Sequence, residues 1–122
     1  PDNICFDTSL NVWIATDGGD QVFPDGNDCV MVAPVASEGP RPLKRFLVAP
    51  VGAEVCGPML APDETAFFCA IQHPGDADLN GVGVRELRWR QGKKPPSTFP
   101  DGGWPRSAVV YVTKKDGGKV GT

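Results

Sequence analysis

The sequence offers almost no long stretch on which a helix could build. Fifteen glycines and 13 prolines are spread through 122 residues, and the longest run free of both is Asp2 to Asp17. Asp63 to His73 and Arg106 to Asp116 come next. Proline inside a helix costs about 3 kcal/mol and glycine about 1 kcal/mol, so coiled coils, helical bundles and long crossover helices are excluded. No apolar run approaches the ~20 residues that span a bilayer as a helix. The formal net charge is -3, which argues against a general nucleic-acid binder. One local cluster departs from that balance: Arg85, Arg88, Arg90, Lys93 and Lys94 lie close together with only Glu86 opposing them. It reads as a solvated face or as a phosphate-attracting patch.

Chemical motifs are scarce too. His73 is the sole histidine, so the chain cannot build a histidine-dominated metal site by itself. Cys5, Cys29, Cys56 and Cys69 form no CxxC pair, which excludes zinc ribbons and fingers. Their apolar surroundings (ICF, EVCGP, FFCAI) suit buried free thiols. Ser9, Ser37, Ser97 and Ser107 sit in no nucleophile elbow, and no phosphate-binding glycine loop is present. The acids Asp17, Asp20, Asp25 and Asp28 lack the calcium-loop pattern and suit turns.

What is present is strand pattern. Ile4 to Asp7, a Thr8–Asn11 turn and Val12 to Thr16 read as strand, turn, strand, stopping at Asp17-Gly18-Gly19. Pro58 to Ala61, a Pro62–Thr65 turn and Ala66 to Ile71 read the same way and stop at Gln72-His73-Pro74-Gly75. The hairpins superpose at an offset of 54, which sets Phe6 on Leu60, Trp13 on Phe67 and Ala15 on Cys69. Between them, Cys29 to Val35 and Leu43 to Val48 add two strands, and Ala108 to Thr113 closes the chain with another. Four strands in a little over 50 residues match one propeller blade of ~40–50 residues. We therefore expect an all-β chain of about two four-stranded antiparallel blades from a six-bladed propeller, with residues 1–53 as one unit. Residues 54–122 form a second, irregular unit with a long insertion over 76–105 and a short helix or strand around Val84 to Gln91. Two blades cannot close a propeller, so the chain is expected to be a fragment of a larger one, or to self-associate to cover its blade edges.

The first strand of each blade lines a propeller's channel, so polar residues at strand starts converge there. Asp2 and Asn3 precede the first strand, where they read as a turn pair or as channel-facing ligands. Glu54 precedes the corresponding strand of the second unit, within Val51-Gly52-Ala53 and Val55-Cys56-Gly57, and an acid in apolar company usually has a partner. Several oxygen donors around a channel suit Ca²⁺ or a ferric ion.

Asp2-Asn3-Ile4, Asn11 to Gly18, Arg45-Phe46-Leu47, Gly52-Ala53-Glu54-Val55 with Gly57-Pro58, Ile71 to Gly75 and Phe99 to Gly102 resemble, in order, the C-terminal part of PhoX-type alkaline phosphatases. Residues 77–96 match most loosely. The resemblance implies an exported, periplasmic or secreted hydrolase of phosphomonoesters, a six-bladed propeller with a calcium and iron cluster at its channel, and Asp2, Glu54 and Asn3 as metal ligands. Cys56 stands where threonine is expected, and Asp63-Glu64 replaces an Asp-Gly turn. The upstream ligands would lie outside this chain, so the chain alone is expected to be inactive. Two other readings stay open: a non-catalytic propeller module that binds a partner, and a calcium-assisted lactone hydrolase.

Overall fold

The computed structural model describes residues 1–18, 22–23, 26–35, 38–76 and 95–121. The elements within them are seven β-strands: β1 (Ile4–Phe6), β2 (Asn11–Ala15), β3 (Cys29–Pro34), β4 (Lys44–Val48), β5 (Glu54–Leu60), β6 (Ala66–Gln72) and β7 (Ala108–Thr113). They form a four-stranded sheet in the order β1-β2-β3-β4 and a three-stranded sheet in the order β5-β6-β7, with every pairing antiparallel. The first unit has its four expected strands, the second has three among the described residues, and no closed ring of sheets is seen among them. The expected element around Val84 to Gln91 and the basic cluster lie outside the described residues, as do Asp20 and Asp25. No described helix is long and apolar enough to cross a membrane.

Both hairpins form, with one adjustment to the repeat. In the first, Phe6 pairs with Val12 across residues 7–11; in the second, Leu60 pairs with Phe67 across residues 61–66, one residue more. Beside the turn, β6 therefore pairs one residue off the offset of 54, while the buried alternation keeps that offset: Trp13 and Phe67, and Ala15 and Cys69, take the buried positions. A register shift between Cys56 and Met59 absorbs the extra residue inside the ladder.

The core forms where the buried faces of the two sheets meet. Trp13 from the first sheet and Phe67 from the second point at each other and stack with ring centroids 5.0 Å apart. Phe46, displaced toward them by the irregularity in the β3–β4 ladder, meets Trp13 edge-on at 4.8 Å and Phe67 at 5.3 Å. Ala15, Val30, Val55, Cys69, Ile71 and Val120 complete one buried cluster between the sheets. The opposite faces are apolar as well. Ile4 and Phe6 lie exposed on the outside of the first sheet, and Met59, Val109 and Tyr111 on the outside of the second, where Tyr111 approaches Phe68. Single exposed apolar residues are ordinary, but groups of them on the outer face of each sheet suit further packing.

Two turns fasten the layers. Asp7 is the hub of the β1–β2 turn: its carboxylate accepts from the backbone of Ser9 and Asn11, from the Asn11 amide and from the Trp13 indole. Burial opposes ionisation there, yet these bonds together hold its carboxyl below the usual range. Glu64 occupies the β5–β6 turn at φ 61°, a left-handed conformation that glycine takes without cost and glutamate does not. The expected glycine of an Asp-Gly turn is thus replaced by a residue whose side chain does something glycine cannot. Glu64 accepts from Lys119 Nζ at 2.8 Å and from the Thr8 backbone, while its carbonyl accepts from Val120. It ties the first turn, the second turn and the C-terminal tail together.

The Lys119 hydrogen bond, followed by that from Thr8, lowers the Glu64 carboxyl from 4.5 to about 2. A carboxyl depressed on folding stabilises the fold fully above its unfolded value, and that stability is lost as pH falls from about 4.5 toward about 2. Acid unfolding followed by far-UV circular dichroism should therefore steepen across that window, and Glu64→Gln should flatten it; identical acid profiles would contradict the clasp.

Candidate metal centre

Three strand ends meet beside the sheet interface. The Asp2 backbone donates to the Ala15 carbonyl at 3.0 Å and Ala15 donates to the Asn3 carbonyl at 2.9 Å, which fixes the start of β1 against the end of β2. Val55 donates to the Thr16 carbonyl at 3.1 Å, which brings the start of β5 to the same place. Asp2, Asp17 and Glu54 are thereby gathered from strands far apart in sequence.

Asp17 is aimed by a buried polar knot. Thr16 Oγ1 donates to Asp28 Oδ1 at 2.7 Å and accepts from the Cys29 backbone at 2.8 Å, while Gly18 donates to the same Asp28 oxygen at 2.8 Å. Asp28 itself is only 4% exposed, so its satisfied carboxylate serves the loop and not the solvent. Burial first, and then the Glu54 carboxylate beside it, raise the Asp17 carboxyl above its ordinary value, with Asp28 and Asp2 adding in the same sense. Like charges this close are costly unless protonated or neutralised by a cation.

Glu54 is held on both oxygens. Cys56 Sγ lies 2.8 Å from Oε1 and donates to it, and Gln72 Nε2 donates to that sulfur at 2.9 Å. His73 Nε2 stands 3.4 Å from Oε2, with Asp76 Oδ2 3.8 Å from the far ring nitrogen. Burial and then the Glu54 bond push the Cys56 thiol up to about 12, so it is a neutral donor and not a thiolate ligand. All four cysteines are free, as their surroundings predict.

The residues singled out in the sequence behave differently from one another. Asp2 and Glu54 share the cluster, since both act on Cys56. Asn3 Oδ1 accepts from the Gly57 backbone at 2.9 Å, so this side chain straps the two sheets together at the cluster's rim. It keeps one oxygen lone pair for another partner. Asp17 reads as a turn residue in the sequence, and the signal for it was its position at the end of β2, where the β1–β2 hairpin delivers it beside Asp2. His73 reads as a turn residue as well; its proximity to Glu54 depends on a contact across the β5–β6 pair that spacing does not display.

Among the described residues, no group of three or more histidine, cysteine or acid side chains is arranged to hold a metal ion. The donors near Glu54 are carboxylates and one amide oxygen, with the neighbouring thiol neutral, which is the ligand type of hard cations and not of soft ones. Elsewhere an apolar pocket of about 420 Å³, lined by Leu47, Pro50, Ile71, Phe99 and Val110 among others, carries no charged side chain and offers nothing to a phosphate.

No curated protein and no solved structure matches the chain. The family model described as alkaline phosphatase PhoX matches residues 1–75, the span that holds β1 to β6 and all the acids of the cluster. This chain belongs to the alkaline phosphatase PhoX family.

Proposed function

We propose that this chain is the C-terminal part of a metal-dependent phosphomonoesterase and supplies carboxylate ligands to a calcium and iron site at the channel of a larger six-bladed propeller. The convergence of Asp2, Asp17 and Glu54 at the ends of β1, β2 and β5 carries this reading, in a chain whose family is that of PhoX phosphatases. Asp2 and Glu54 act as ligands, Asp17 joins them, and Asn3 contributes its remaining lone pair or simply keeps the strap. The apolar outer faces support the larger assembly: each would cover a neighbouring sheet as Trp13 and Phe67 cover each other. Alone, the chain would bury those faces by self-association and would be inactive, because three carboxylates leave a cation of this kind short of its six to eight oxygens.

A hard cation bound there supplies charge to polarise the phosphoryl oxygens and to stabilise an in-line displacement. The chain's own residues prepare that site. Cys56 and His73 orient Glu54, the Thr16–Asp28 knot orients Asp17, and Asn3 fixes the distance between the two sheets. Export to the periplasm or beyond accords with a calcium requirement and belongs to the same proposal.

The test is substrate and metal dependence in the parent protein. Metal-stripped enzyme should lose hydrolysis of a chromogenic phosphomonoester and regain it with calcium and iron. Activity on lactones with none on phosphomonoesters would favour the lactonase reading. Absence of any hydrolysis by the metal-loaded protein would favour a binding module.

A further inference from the structure

We infer that His73 is a positioning residue: it faces the free oxygen of the Glu54 carboxylate and limits that carboxylate to the orientation that a divalent cation requires, with the Asp76 carboxylate on the ring's other side. This rests on the metal-centre reading above and deepens it. Glu54 Oε1 is already engaged by the Cys56 thiol at 2.8 Å, whose direction is set because Gln72 Nε2 donates to the sulfur at 2.9 Å. Left there, the carboxylate could still swing about its other oxygen. His73 Nε2 faces that oxygen at 3.4 Å and closes the second side. The adjacent residues Gln72 and His73 thus act on the two oxygens of one carboxylate, one through Cys56 and one directly. A carboxylate offers about four lone-pair positions, so both oxygens keep capacity for a cation. Partners of this kind behind a ligand tune metal affinity by roughly 10–100-fold.

The turn that carries His73 is built at conformational cost. His73 has φ 33°, in the left-handed region that a non-glycine residue rarely adopts. Three bonds hold it there: the His73 backbone donates to Ser107 Oγ at 3.0 Å, Gly75 donates to the Val51 carbonyl at 2.7 Å, and Asp76 donates to the His73 carbonyl at 3.1 Å. Gly52 completes the arrangement. Its backbone passes so close that a Cβ at this position would lie 2.0 Å from the Asp76 carbonyl oxygen, so only glycine admits the turn. Backbone strain that the surroundings enforce this thoroughly tends to serve a site. His73 Nδ1 and Asp76 Oδ1 are both buried and find no hydrogen-bond partner among the described residues, although Asp76 Oδ2 stands 3.8 Å from that nitrogen. The ring thus lies between two carboxylates, nearer to Glu54 at 3.4 Å than to Asp76 at 3.8 Å.

The experiment is a calorimetric titration of calcium into the metal-stripped intact protein. His73→Gly accepts the left-handed backbone and leaves an imidazole-sized gap. It should weaken calcium binding by about 10–100-fold, and added imidazole should restore much of the loss. A turn residue with a purely structural role would give neither the loss nor the rescue. Asp76→Asn, which spares the turn, should weaken binding several-fold in the same direction and carries the test if His73→Gly fails to fold. Glu54→Gln is measured alongside. Unchanged calcium affinity in His73→Gly beside a weakened Glu54→Gln, or a loss that imidazole does not reverse, would overturn the role of His73 alone. Unchanged affinity in Glu54→Gln would overturn the metal centre itself.

Discussion

Glu54→Ala is expected to cut phosphomonoesterase turnover in the parent protein by at least about 100-fold while leaving the fold in place, since a ligand carboxylate matters more than the outer partners whose loss costs 10–100-fold. The fold should survive because the Glu54 side chain makes no contribution to the Trp13–Phe67 core and its strand pairing uses backbone groups. Removing the carboxylate also relieves Asp17, whose carboxyl Glu54 helps to raise. Circular dichroism and thermal unfolding should therefore change little. Turnover and stability falling together would mean that Glu54 is structural, and unchanged turnover would place the chemistry elsewhere.

The second large effect lies in the core. Trp13 is 1% exposed, stacks on Phe67, meets Phe46 edge-on and satisfies its indole N–H on Asp7. Trp13→Ala should destabilise by about 3–5 kcal/mol, the range found for large aromatic truncations in cores. Several consequences add to that cost. The cavity opens at the centre of the sheet interface, the Asp7 hub loses a donor, and Gly121, whose missing Cβ would sit 2.8 Å from the indole, loses the surface it packs on. A stability of about 5–15 kcal/mol is typical of a domain, so a loss of this size takes a large share of it and should lower the unfolding temperature clearly. Chemical denaturation compared with Phe46→Leu, a milder change at the edge of the same cluster, would measure it. A loss under about 1 kcal/mol would show that the sheets are held by something other than this aromatic stack.

Much of the architecture was legible because strands announce themselves. Alternation in Val12 to Thr16 and Ala66 to Ile71, with glycine and proline stops after each, placed β2 and β6 to within a residue. Pro58 misled the start of β5: a proline beside a glycine reads as a boundary, yet it sits in the ladder's irregular segment, and the strand begins four residues earlier at Glu54. The offset of 54 matches the buried positions of β2 and β6, Trp13 with Phe67 and Ala15 with Cys69. What it does not display is the local irregularity: residues 61–66 are one longer than residues 7–11, and the ladder takes up the difference between Cys56 and Met59.

The sequence singles out Asp2, Asn3 and Glu54 at strand starts, and the structure brings Asp2 and Glu54 near one thiol, that of Cys56. Cys56 reaches Glu54 by the two-residue period of β5, which spacing does display. Asp17, Gln72 and His73 arrive through pairing between β1 and β2, between β5 and β6, and across the Val55–Thr16 bond, which no local spacing encodes. Glu64 shows the same limit in another form: a departure from an Asp-Gly turn reads as drift, and only the structure reveals that the new carboxylate joins Thr8 and Lys119.

The central claim is that the carboxylates at these strand ends bind a hard cation. The most direct measurement is the calcium dissociation constant of the metal-stripped parent protein beside its Glu54→Gln variant, which keeps the size of the side chain while removing its charge and turning one acceptor oxygen into a donor amide. The account predicts binding weakened by at least about 10-fold in the variant with an unchanged unfolding temperature. Equal affinity in the two proteins would contradict it.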